Sequence, residues 1–168
     1  MSVSLRRAGP DDLDFLAGLY AGEDVRPFLA AAGHYDRDGI ANQLGRDPEE
    51  GELLVVELDG ERAGAMLWER TNIRSRIAHA GGIAIHPDFR GRRLADDAAR
   101  LLQHHLIRER GFHRLELEIY GFNERAIRHA ERSGYIREGI KRKAYRHEDG
   151  WVDGVVYAIV EEDLDEPS

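Results

Sequence analysis

The chain has 168 residues, a length that suits one domain with a real core, and no linker divides it, so residues 1–168 are read as a single unit. It carries 24 lysines and arginines against 32 aspartates and glutamates, a net charge of −8 that argues against non-specific nucleic-acid binding. Cysteine is absent, which removes a disulfide framework, a thiolate metal site and a cysteine nucleophile. No apolar run approaches the roughly 18 residues of a membrane span, and MSVSLRRAGPDD has no apolar leader, so the expected location is the cytoplasm with no membrane partner.

In chain order, Val3 and Leu5 alternate with polar neighbours as a first strand. Pro10, Asp11 and Asp12 then mark a helix start, because proline fixes φ at a first helical position and acids suit the N-terminal dipole. Leu13, Leu16, Ala17 and Tyr20 follow at helical spacing, and a second helical region is expected between residues 25 and 44. Residues 53–58, the turn Asp59-Gly60-Glu61 and residues 63–68 read as a hairpin, with residues 77–85 as the next strand.

Over residues 94–110 the positions Leu94, Ala98, Leu101, Leu102, His105 and Leu106 keep a helical period, and Gly111 closes that helix. RLELEIY, residues 114–120, alternates as a strand. Asn123 opens a further helix that Gly134 ends, and the tail reads as two long strands around Glu148-Asp149-Gly150. The order predicts an α/β (α+β layered) fold, a mixed, mostly antiparallel sheet with helices on both faces and a central parallel strand pair in residues 83–120.

Residues 83–102, IAIHPDFRGRRLADDAARLL, have the shape of a strand, a basic glycine-containing turn and a helix. A helix N-terminus offers unpaired N–H groups and a positive partial charge, and glycine lets an anion approach the backbone. The same pattern is also met in basic surface turns that merely start an amphipathic helix. No Walker lysine follows the turn, which leaves a nucleotide-binding switch a weak third reading.

IAIHPDFRGRRLA resembles motif A of the GNAT N-acetyltransferase superfamily. LELEIYGFNERAIRHAERSGYIREG is similar to its next strand and helix, with Asn123, Ala126, Ile127 and Gly134 at matching places. The closing RHEDGWVDGVVYAI is similar to the tail of the branch that acetylates ribosomal proteins, polyamines and amino acids. The resemblance implies acetyl-CoA as cosubstrate, no metal, and a bulged strand in which backbone groups of Ile83, Ala84 and Ile85 line the pantetheine arm. It further implies that the N–H groups of Arg90, Gly91, Arg92, Arg93, Leu94 and Ala95 hold the pyrophosphate, with Asn123 near the pantetheine or simply capping its helix. Arg93 stands where the family usually has glycine, at a cost of about 1 to 2 kcal/mol if the site needs φ > 0. Asp96 and Asp97 are expected to oppose the bound dianion, with Arg90, Arg92 and Arg93 offsetting them.

Acetyl transfer to an amine needs a neutral nucleophile, a donor for the developing oxyanion and a proton for the departing thiolate. A strand N–H near Ile85 serves the oxyanion. The family's tyrosine acid, seven residues beyond the asparagine, falls on Ala130, so restoring a tyrosine there is expected not to lower activity. Tyr120 at the end of its strand is the candidate replacement acid. Glu118 and His79 are the candidate bases, with Glu116 on the same strand face as Glu118 and His86 at the end of the motif A strand. His104 and His105 are adjacent and point in different helical directions, so no metal pairing is expected.

The expected function is acetyl-CoA-dependent N-acetylation of a primary amine, and the weak base set favours an α-amine of an amino acid or protein N-terminus. Two alternatives stay open: an acyl-CoA-binding sensor or partner-binding domain of the same fold, and a polyamine or lysine acetyltransferase. A homodimer is compatible with the sequence.

Overall fold

The structure, a computed structural model, describes residues 1–29 and 35–164. Its elements are β1 (Val3–Arg7), α1 (Leu13–Tyr20), α2 (Arg37–Leu44), β2 (Gly51–Leu58), β3 (Glu61–Asn72), β4 (Ile77–Ile85), α3 (Leu94–His104), β5 (Arg114–Tyr120), α4 (Glu124–Arg132), β6 (Ile136–His147) and β7 (Gly150–Val160). One seven-stranded sheet runs in the order β1-β2-β3-β4-β5-β7-β6. Every neighbouring pair is antiparallel except β4 and β5. The mixed α/β fold read from the sequence is the fold observed.

Strand alternation divides the core between the two faces of the sheet. Leu54 and Val56 of β2 with Met66 and Trp68 of β3 join the core that includes Ala98, Leu102 and Leu106 beneath α3. Their neighbours Leu53, Val55 and Ala65 point the other way and join Leu16, Leu19 and Ile40 of α1 and α2. The inner strands are therefore buried on both sides, which is why LLVV at the centre of GELLVVEL is an unbroken apolar run flanked by Glu52 and Glu57.

Three elements depart from the sequence reading. Strand β3 continues past Trp68 to Asn72, because Glu69 and Arg70 pair with His79 and Ala78 by backbone alone and show no apolar alternation. The helix expected to reach Arg110 is α-helical only to His104, and His105–Glu109 widens into a π turn in which Arg110 N–H bonds the His105 carbonyl at 2.9 Å. That wider turn buries the consecutive Leu106 and Ile107 together. The second helical region is a 3₁₀ turn at Arg26–Phe28 and α2, and the part of it at residues 30–34 lies outside the described residues. Among the described residues, no helix is long and apolar enough to cross a membrane.

Candidate functional site

Strands β4 and β5 pair only at Ile77–Arg114, Ala78–Leu115 and His79–Glu116, and then part. The cause lies in β4, whose register against β3 slips between the pairs Gly81–Leu67 and Ala84–Ala65. Gly82, at φ 59°, sits inside that bulge in a conformation other residues seldom adopt. Tyr20 pins it, donating its buried hydroxyl to the Gly82 carbonyl at 2.6 Å, with the Tyr35 ring 4.8 Å away. Burial pushes both phenols well above the usual tyrosine range, so both remain protonated donors. Ile83, Ala84 and Ile85 occupy the far arm of the bulge and lead into the turn.

At the turn, His86 Nδ1 accepts from Asp88 N–H at 3.2 Å and caps a short 3₁₀ segment, Pro87–Phe89. Gly91 has φ 81°, and Arg93 sits as the α3 N-cap at φ 58° and ψ 27°, in the left-handed region. Arginine thus occupies a conformation that glycine takes freely. Among the described residues no side chain caps α3, whereas Asp36 caps α2 and Asn123 caps α4, accepting from Ala126 N–H at 3.2 Å. The first-turn N–H groups of Leu94 and Ala95 thus take no capping side chain and can serve a bound anion, and the space where a side chain at Gly91 would stand is open. This donor set fits the pyrophosphate of coenzyme A.

Two of the turn's charges behave differently from expectation. Arg90 faces inward, donating Nε–H to the Ile85 carbonyl at 3.0 Å and pairing with Asp24. Its charge is already engaged, while Arg92, lying 5.7 Å over the Phe89 ring, and Arg93 are exposed. Asp96 does not oppose a bound anion, because it is 2% exposed and turned toward α4. There it accepts from His129 Nδ1 at 2.6 Å and from Arg132 Nε at 2.9 Å. Burial raises its carboxyl, but the hydrogen bonds from Arg132 and His129 outweigh burial and hold it below the usual range. For His129 the balance runs the other way: burial outweighs the Asp96 carboxylate, and the imidazole is held low and neutral. Of the two aspartates in the first turn of α3, Asp97 is the one that stays exposed.

His79, Glu118 and Tyr120 line one cavity of about 150 Å³, together with Ile119 and Tyr145. The cavity opens at the point where β4 and β5 part. Burial raises the Tyr120 phenol, which keeps it a proton donor at neutral pH. Glu118 is bonded at both oxygens, to Lys141 Nζ at 3.0 Å and to the Tyr145 hydroxyl. Burial, then the Glu118 hydrogen bond, raises the Tyr145 phenol as well.

Glu118 lies on β5 and Tyr145 on β6, yet β7 runs between these strands. They meet because the intervening residue is Gly154, where a Cβ would stand 2.5 Å from Glu118 Oε1 and 2.6 Å from the Tyr145 ring. Sequence reasoning missed Tyr145. The signal available was an isolated glycine inside the apolar strand GWVDGVVYAIV, a mark of close approach across a sheet.

Ala130, at the place of the family's tyrosine, is fully buried in the core that includes Leu102, Leu106, Tyr135 and Ile159. The expectation that a tyrosine would be harmless there is corrected, because a phenol at a fully buried alanine must overpack that core. Glu116 pairs with Arg114 at 3.0 Å and does not line the cavity. Among the described residues, no group of three or more His, Asp or Glu side chains could hold a metal ion.

The sequence model of the acetyltransferase (GNAT) family matches residues 18–135. YokL, a prophage-derived uncharacterised N-acetyltransferase of Bacillus subtilis (strain 168), is 23% identical over 168 residues, covering 98% of this chain and 93% of that protein. The spermidine N-acetyltransferase of Vibrio cholerae, solved with CoA and spermine, has a TM-score of 0.85 at 18% identity over 96% of this chain and 97% of that one. RimL, a ribosomal alpha-N-protein acetyltransferase solved with coenzyme A, has a TM-score of 0.84 at 17% identity over 98% of this chain and 97% of that one. At these identities the solved structures speak to the fold, while the family's own sequence pattern spans the bulged strand, the turn and the capped helix α4. This chain belongs to the acetyltransferase (GNAT) family.

Proposed function

We propose that residues 1–168 form one domain that transfers an acetyl group from acetyl-CoA to a primary α-amine, on an amino acid or at a peptide N-terminus. Family membership makes the chain an acyltransferase with acetyl-CoA as its cosubstrate, which supplies the acetyl group as an activated thioester. The uncapped turn Arg90–Ala95 holds the phosphates, with Arg92 and Arg93 adding exposed positive charge. Ile83, Ala84 and Ile85 line the pantetheine with backbone groups, and a strand N–H near Ile85 serves the oxyanion. Tyr120 gives its proton to the departing thiolate, and Glu118 or His79 takes the amine's proton.

The carrying observation is the single cavity shared by His79, Glu118 and Tyr120 at the mouth of the β4–β5 gap. It also bears on the acceptor. Deprotonation at pH 7 costs about 4.6 kcal/mol for a lysine-type amine but about 1 to 1.4 kcal/mol for an α-amine. A carboxylate already bonded by Lys141 and Tyr145 suits the smaller task. Relatives of both acceptor classes share the fold, so this proton balance is what favours the α-amine.

Thiol release with a panel of amines at neutral pH tests the reading. The expected result is a higher kcat/KM for amino-acid amides or N-terminal peptides than for spermidine or an N-blocked lysine peptide. Preference for either of the latter overturns the α-amine assignment, and acetyl-CoA binding without amine-dependent turnover would mark a sensor. Tyr120→Phe should lower kcat much more than it changes KM, and an unchanged kcat rejects Tyr120 as the acid.

A further inference from the structure

Beside the cavity, the segment Asp24 to Phe28 is tied down at both ends. Asp24 pairs with Arg90 of the phosphate turn, and the Pro27 carbonyl is bonded by His147 Nε2 at 2.8 Å from the final hairpin. The segment therefore runs as a strap from the cofactor turn to β6. Its last residue, Phe28, lies 5.8 Å from the Phe122 ring, which stacks on Tyr120 at 5.5 Å. His147 fills the corner, 4.7 Å from Phe122 and 5.4 Å from Tyr120, and Tyr145 meets Tyr120 at 5.9 Å. Tyr120 and Tyr145 line the cavity, while Phe28 is 43% and Phe122 42% exposed. An aromatic face thus continues outward from the candidate catalytic groups to two half-exposed phenylalanines.

We infer that this face, built by Phe28 and Phe122 and held in place by the Asp24–Arg90 and Pro27–His147 ties, is the acceptor subsite, and that it selects an α-amine whose side chain is apolar. The inference rests on the acetyl-transfer reading above and narrows its substrate class. Two observations support an apolar occupant, and a third sets it apart from the cofactor. Each exposed ring gains by covering its surface, at roughly 25 cal/mol per Å² of apolar area removed from water. Of the two carboxylates bonded in this region, Glu118 is taken by Lys141 and Tyr145, and Asp24 by Arg90. A second ammonium, as on a polyamine or lysine, would meet Lys141 and Arg90 with those acids already occupied. The face also lies on the β5–β6 side of the cavity, away from the β4 backbone and the turn that take the cofactor.

The test is kcat/KM for the amides of glycine, alanine, leucine, phenylalanine and lysine, with acetyl-CoA affinity measured separately by titration calorimetry. The expected order places leucinamide and phenylalaninamide at least tenfold above glycinamide, with lysinamide below them. Phe28→Ala and Phe122→Ala should each collapse the leucinamide-to-glycinamide ratio about tenfold. Phe28→Leu and Phe122→Leu, which keep apolar bulk, should retain most of that ratio and guard against misfolding as the cause. Asp24→Asn, which unties the strap from Arg90, should raise KM for every amide and lower the leucinamide-to-glycinamide ratio, and an unchanged ratio would overturn the role given to the strap.

Turnover that ignores the side chain, or phenylalanine variants that lower all amides equally, would overturn the inference while leaving acetyl transfer to α-amines standing. A change in acyl-chain preference in place of acceptor preference would overturn it too, by assigning the face to the acyl group. Absence of amine-dependent thiol release with every acceptor would instead overturn the reading beneath it.

Discussion

On the proposed cofactor side of the site, the residues are consecutive: residues 83–95 form the bulged strand arm, the turn and the first helical turn, and the contribution proposed for them is made largely by backbone groups. The proposed acceptor side draws Phe28 from the strap, Glu118 and Tyr120 from β5, Phe122 from the following turn, and Lys141, Tyr145 and His147 from β6. The first side tolerates an unusual sequence, as Arg93 shows by sitting in the left-handed region at the head of an uncapped helix. The second depends on particular side chains meeting across strands, and Gly154 is what allows the central meeting. A side built from backbone should resist substitution, and a side built from side chains should not.

The largest expected effect therefore falls on the acceptor side. Gly154→Ala puts a methyl group 2.5 Å from Glu118 Oε1, so Glu118 or Tyr145 must move. Displacing a reacting group by about 1 Å can lower turnover on the order of 10²-fold. The measurement is steady-state kcat beside the acetyl-CoA Kd: kcat should fall by about that factor while Kd holds. Loss of cofactor affinity instead would erase the contrast between the two sides.

Next in size is a change beneath both sides. Ala130→Tyr forces a phenol into a fully buried alanine position of the core, an overpacking that typically costs about 1 to 3 kcal/mol. For a chain of this length that is a fall in Tm of roughly 2 to 4 °C per kcal/mol. An unchanged Tm with raised activity would show that the position accepts the family's tyrosine after all.

How much of this could be read from the sequence follows the same division. The limits of β4 and β5, the turn, the Asn123 cap and the tension at Arg93 are local patterns, and each is visible in a run of a few residues. Asp96 was misjudged because its partners, His129 and Arg132, lie on another helix more than 30 residues away, and no periodicity announces a cross-helix ion pair. Tyr145 was missed because the last strand inserts between β5 and β6, so β6 is two strands from the candidate base. The strap was invisible because its ties to Arg90 and His147 span 66 and 120 residues. Topology, which propensity does not encode, assembled the acceptor side.

A smaller effect is expected from charge on the cofactor side. Arg92→Glu with Arg93→Glu leaves the backbone donors in place but reverses both exposed cations, so acetyl-CoA affinity should fall only about tenfold and the loss should shrink as salt is added. Titration against acetyl-pantetheine, which lacks the nucleotide phosphates, should show almost no change. A loss of binding that salt does not touch would mean the turn itself had been disrupted and that side chains matter there as well.

The smallest effect is the sharpest test of a backbone-built turn. Arg93 holds φ 58° and ψ 27°, a conformation that costs an L-residue about 1 to 2 kcal/mol and glycine nothing. Glycine also frees the unfolded chain, which takes back about 0.4 to 1 kcal/mol. The net for Arg93→Gly is a gain on the order of 0.5 to 1 kcal/mol, or a rise in Tm of about 1 to 4 °C. The neighbouring Arg92 is not among the residues with positive φ, so Arg92→Gly has no strain to relieve and should lower Tm by a similar amount. Both variants remove one exposed positive charge, so each should weaken acetyl-CoA binding by a few-fold at most. Opposite signs in Tm with matching changes in Kd would separate conformation from charge at adjacent positions. Equal losses of stability would show that Arg93 is held by its side chain, against the absence of any side-chain cap at this helix.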